Sequence, residues 1–91
     1  MKHAGQAALD RLEPLLRDLR RRAGLKEKSR GIFYRGSRAF LHFHEHGEAL
    51  FADLRTAEDF ERLPVLVAAE RRALLARVDG ILGDGAGAKR R

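Results

Sequence analysis

The stretch IFYRGSRAFLHFHEHGEALFADLR, residues 32–55, constrains this chain more than any other segment. Two glycine-bearing breaks divide it into three short runs in which apolar and polar residues alternate, and a period of two belongs to strands with one buried side. Gly36-Ser37 suits a two-residue hairpin loop with glycine first, and His46-Gly47 reads as a second turn. The stretch is therefore expected to form an antiparallel β-meander.

These turns predict a register. Around the first, Arg35 faces Arg38, Tyr34 faces Ala39, Phe33 faces Phe40 and Ile32 faces Leu41. Around the second, Glu45 faces Glu48, His44 faces Ala49, Phe43 faces Leu50, His42 faces Phe51 and Phe40 faces Asp53. Cross-strand partners share a face. One face then carries Ile32, Tyr34, Ala39, Leu41, Phe43, Leu50, Ala52 and Leu54, a continuous apolar surface for helices to cover. The other carries Phe33, Arg35, Arg38, Phe40, His42, His44, Ala49, Phe51, Asp53 and Arg55, with three phenylalanines near its centre.

Helices flank the meander. Ala8, Leu12, Leu15 and Leu19 follow helical spacing, widened by Leu9, Leu16 and Ala23. Pro14 removes one backbone donor and is expected to bend this helix or mark its first turns. Asp10 and Glu13 have capping-box spacing, which would start the stable part near Asp10. Arg20, Arg21 and Arg22 suit the negative end of the helix dipole, with Gly24 as a left-handed cap. LKEKSRG then reads as a polar connector. TAEDFERLPV fits either a helix start or a short fourth strand, ended by Pro64. A second helix over about 66–82 is expected from Val67, Leu74, Leu75, Val78, Ile81 and Leu82, capped by Gly83. The expected fold is a two-layer α+β sandwich: helix, three- or four-stranded antiparallel meander, helix, with both helices on one sheet face. Residues 1–82 form a single α+β domain and 83–91 a flexible basic tail, disordered in this reading.

Composition narrows the function classes. The chain has 91 residues, 44% hydrophobic and 35% charged, as a single globular domain should. No cysteine is present, which excludes disulfides, thiolate metal sites and cysteine nucleophiles and suits a cytoplasmic location. No apolar run approaches membrane-spanning length, so no membrane partner is expected. Half of the +6 net charge lies on Lys2 and the tail residues 84–91, and the rest of the chain mixes signs like an ordinary solvated surface.

The segments GLKEKSRGIFYRGSRAFLHFHEHGEALFADLR and FERLPV resemble a group of small bacterial proteins of uncharacterised function. Their pattern is a helix, FYR…RAFLHFHE, LFAD and a closing helix, and the likeness covers residues 9–82. More distantly, the helix, the EK-containing linker and the aromatic hairpin resemble the YjbR-like α+β sandwiches. Both resemblances imply the fold and assign no residue a role.

Three readings of the second sheet face follow from its residues. A contiguous face with Phe33, Phe40 and Phe51 at its centre and Arg35, Arg38 and Arg55 on its rim has the composition of a homodimer interface. This is the preferred reading: a non-catalytic interaction module that self-associates and needs no cofactor. The same residues would also serve as a stacking platform for single-stranded nucleic acid, although no RNP-type motif is present. Finally, His42 and His44, two apart on a strand, project from one side and could hold a divalent transition metal with Asp53 as third ligand. The plainer reading of those two histidines is a pair of amphipathic side chains whose polar tips find water. His46 belongs to the turn. An acid–base enzyme built on His42 and Asp53 is disfavoured, because hydroxyl nucleophiles are scarce, no phosphate-binding or dinucleotide motif occurs, and a sandwich this small has little room for a deep pocket.

Overall fold

A computed structural model describes residues 2–86. The elements run β1 (Lys2–His3), α1 (Gln6–Arg20), β2 (Lys26–Ser29), β3 (Ile32–Arg35), β4 (Arg38–His46), β5 (Ala49–Arg55), β6 (Phe60–Pro64) and α2 (Ala68–Ala86). The strands form one antiparallel sheet in the order β2-β3-β4-β5-β6, and β1 pairs with the far end of long strand β4. Both helices contribute to a single core with the sheet, through Leu12, Leu16 and Leu19 of α1 and Leu74 and Val78 of α2. This is the two-layer α+β arrangement that the patterning predicts.

The meander forms, and TAEDFERLPV supplies its extra strand, β6, after a turn in which the Thr56 amide donates to the Asp59 carbonyl. Both hairpin loops place glycine first. Gly36 and Gly47 have φ of +64° and +58°, and no other residue type has positive φ among the described residues. Glycine in the left-handed region followed by a residue with negative φ is the loop whose twist matches paired strands. The second loop is therefore Gly47-Glu48 rather than His46-Gly47, and His46 pairs with Ala49. Partners shift by two residues from the expected register. A shift of two leaves the paired side chains of Leu41–His46 and Ala49–Leu54 on their expected faces. It also moves His42 from beside Phe51 to directly opposite Asp53.

The first hairpin departs further. Arg35 pairs with Arg38 and Tyr34 with Ala39 as expected, but Phe33 pairs with Leu41, which leaves Phe40 as an extra residue on β4. This bulge reverses the parity of β3. Phe33 is fully buried, Phe40 is almost so, and both belong to the core, while Ile32 and Tyr34 are half-buried. The expected surface of three phenylalanines does not exist, because two of its rings point their area into the core. Burying each ring stabilises by about 1.5–3 kcal/mol, enough to outweigh the ladder bonds a single bulge disturbs.

Three further segments differ from expectation. LKEKSRG contains strand β2 rather than a connector; its Lys-Glu-Lys-Ser run has no apolar alternation because an edge strand with charged side chains needs none. α1 begins at Gln6, four residues before Asp10, and runs through Pro14. α2 begins at Ala68, where Glu70 accepts from the amides of Leu66 and Val67, and it leaves Val67 about half exposed. It continues through Gly83 to Ala86, so Gly83 does not cap it; residues 87–91 lie outside the described residues. Gly24 does adopt the left-handed conformation expected after α1. The arginines there are engaged: Arg20 with Glu13 and Glu27, Arg21 with Asp18, and Arg22 with Asp79.

Candidate metal centre

The sheet face turned away from the helices carries a compact polar cluster. Pairing aligns it in two rows. His3 of β1 lies beside His44 of β4, which lies beside Phe51 of β5; one step along, His42, Asp53 and Arg62 of β6 are neighbours. β1 is held in this position by backbone as well as pairing. The Ala4 amide donates to the Phe43 carbonyl at 3.1 Å, and the Gly5 amide donates to Glu45 Oε2 at 2.7 Å. Gly5 is also the N-cap of α1, so the helix whose leucines are locked in the core anchors the strand that delivers His3.

The three imidazoles converge. The His3 and His44 rings are stacked with centroids 4.5 Å apart, His42 and His44 meet edge-on at 5.3 Å, and His3 and His42 are 5.8 Å apart. One ring nitrogen from each lies within 4.8 Å of the others. Phe60 flanks the group, with its ring centroid 5.0 Å from that of His42.

Asp53 lies behind the histidines and is nearly buried. Arg62 grips it bidentately, donating to Oδ1 at 2.7 Å and Oδ2 at 2.8 Å. This hydrogen-bonded guanidinium holds the Asp53 carboxyl below the usual carboxylate range. Oδ2 also lies 3.1 Å from His44 Nδ1 and 3.9 Å from His42 Nδ1, and both Nδ1 atoms are buried without a hydrogen-bond partner. The short His44 approach is a matter of distance alone, since its direction does not suit a hydrogen bond. Burial pushes both imidazoles below their ordinary pKa; Asp53 opposes the shift without cancelling it. The neutral form so favoured is the one that binds metal.

The acid side of the stability curve should record this. With folded-state pKa values below 6.5, the unfolded chain binds the extra protons, so stability is complete above that value and falls as pH drops through it. Asp53 acts in the same direction below 3.8. In the presence of a chelator, the melting temperature should decline from pH 7 to pH 5, and the His42→Gln/His44→Gln double variant should decline less. Equal slopes would contradict the assignment of the shifts to these rings.

Of the residues expected at a site, His42, His44 and Asp53 are brought together here. The third imidazole, His3, has no sequence signal beyond its place just ahead of a helix, since a two-residue strand shows no alternation. Asp53, the expected third ligand, has both oxygens on Arg62 instead. Arg62 was findable only if 60–64 was a strand in register with β5. Phe33 and Phe40 are in the core, Phe51 is half-buried beside His44, and Arg35, Arg38 and Arg55 line a separate pocket near the β3–β4 hairpin. His46 is exposed at the end of β4, apart from the cluster. No helix among the described residues is long and apolar enough to cross a membrane. Comparison with protein-family models, curated proteins and solved structures finds no match.

Proposed function

We propose that this protein binds a divalent transition metal ion of the zinc class on His3, His42 and His44. The observation that supports this reading is the convergence of three imidazole nitrogens, delivered by two strands, within 4.8 Å of one another. Tetrahedral zinc with nitrogen ligands at about 2.0–2.1 Å needs nitrogens about 3.3–3.4 Å apart, so side-chain rotation closing the group by up to about 1.5 Å would complete the set. Asp53 would act from behind. A turn of the His44 ring would let Asp53 Oδ2, 3.1 Å from its Nδ1, take that N–H, which would fix the tautomer and leave Nε2 with the lone pair, while the Arg62 fork holds the carboxylate in place. Three protein ligands leave a fourth position for water or a small ligand.

The dimer and nucleic-acid readings both rested on the phenylalanine surface, and two of its three rings are in the core. Metal binding is therefore the better-supported function for this face. Equilibrium dialysis against zinc, followed by metal analysis, should find about one ion per chain for the native protein and none for His3→Ala. His3 is exposed on a two-residue strand, so its truncation leaves the core intact. Equal zinc content in both proteins would overturn the proposal.

A further inference from the structure

The described arginines fall into two groups. Arg17, Arg20, Arg21, Arg22, Arg30, Arg62 and Arg77 each lie within 4.0 Å of a carboxylate. Arg11, Arg35, Arg38, Arg55, Arg71 and Arg72 contact none among the described residues, and three of these, Arg35, Arg38 and Arg55, line one concave pocket of about 270 Å³. Its remaining walls include Phe40, Thr56 and Ile81, so the pocket lies between the β3–β4 hairpin, the end of β5 and α2.

The arrangement positions positive charge without neutralising it. Arg55 donates from Nε to the Ala39 carbonyl at 2.7 Å, and its guanidinium lies 4.5 Å above the Phe60 ring. Its Nη1 reaches the Glu58 carbonyl at 3.4 Å. These partners are a ring and backbone oxygens, so the side chain is oriented and its full charge remains. Arg35 lies over the Phe40 ring at 5.9 Å. Arg35 and Arg38 are also direct cross-strand partners, a like-charge pair that disfavours the hairpin unless an anion is placed between them. Such a pair, joined by a third guanidinium and the Thr56 hydroxyl, has the chemistry of a receptor for a tetrahedral dianion. Guanidinium forks match phosphate oxygens two at a time.

We propose that this pocket binds the phosphate group of a small phosphate monoester, with the partly buried Ile81 as the apolar wall against which the organic part rests. The site is independent of the histidine cluster and does not rest on metal binding. The nucleic-acid reading of the same arginines is less well supported, because the rings that would stack bases are buried.

Phenyl phosphate and inorganic phosphate are the probes, titrated into the full chain at low salt and followed by amide chemical shifts. Both should move the Arg38, Ala39 and Thr56 resonances, with phenyl phosphate also moving Ile81 and binding more tightly. Arg38→Ala should weaken binding about tenfold, as expected for loss of a charge-assisted contact. Arg38 is exposed at a hairpin end, so this variant keeps the fold. Arg11→Ala, which removes the same charge from the exposed side of α1, should change affinity less than about twofold. Equal losses in Arg38→Ala and Arg11→Ala would reduce the effect to net charge and overturn the proposal, as would the absence of shifts at the pocket. A single-stranded oligonucleotide that binds through Arg38 with length-dependent affinity, and more tightly than phenyl phosphate, would overturn the small-molecule assignment.

Discussion

Zinc at a free concentration about a hundred times its dissociation constant is expected to stabilise the native protein by about 2.7 kcal/mol. In a domain of this size that raises the melting temperature by about 10–20 °C. Few other perturbations of so small a molecule would be as large. The gain should vanish in His44→Ala, which removes the ring at the centre of the group, stacked on His3 and edge-on to His42. It should also vanish in His3→Ala, whose metal-free melting temperature should stay close to that of the native chain. Differential scanning calorimetry with zinc and with a chelator would measure both. A melting temperature indifferent to zinc would mean that the imidazoles are held together by packing alone.

Replacement of Phe33 by alanine is expected to cost about 3–5 kcal/mol, the range for emptying a buried aromatic site. Total stability for a domain of 91 residues is about 5–14 kcal/mol, so this loss approaches or reaches unfolding at ordinary temperature. Phe51→Ala, at a half-buried position beside His44, should cost less than about 2 kcal/mol. Urea midpoints of the two variants test the register of the first hairpin directly. Without the bulge at Phe40, Phe33 would face away from the helices, and the two losses would be similar.

That comparison also marks where the sequence stops being legible. Alternation reports which residues share a face as long as the strand is regular, and over β4 and β5 the faces were readable even though the second loop was placed one residue early. The resulting displacement of two residues preserves parity. A single inserted residue does not preserve it, and nothing in FYRGSRAFL distinguishes a bulged hairpin from a regular one. The difference is decided by the space under the helices, which accommodates both Phe33 and Phe40. Local patterning cannot report that volume.

The candidate site was legible in proportion to its dependence on regular strands. His42, His44 and Asp53 could be assigned to one face from spacing alone. His3 and Arg62 come from β1 and β6, the elements whose existence depends on tertiary pairing more than on their own residues. Lys2–His3 is too short to show a period, and Phe60–Pro64 contains two charges and a proline. Apolar stripes define the helices but not their limits: α1 starts at Gln6, behind an N-cap, Gly5, whose amide is taken by Glu45, forty residues away.

The outer strands β2 and β6 set how this molecule behaves among copies of itself. The Val65 amide donates to the Leu50 carbonyl, and in an antiparallel ladder the residues that face the neighbouring strand alternate. Glu61 and Leu63 therefore direct their amides toward β5, while Phe60, Arg62 and Pro64 are turned outward, and proline has no N–H to offer. An incoming strand would find two donors on that side, and on the other a border of Lys26, Glu27 and Lys28. Crowded in solution, neighbouring molecules meet a sheet whose ends resist being lengthened, which guards an exposed β-rich chain against growth into fibres.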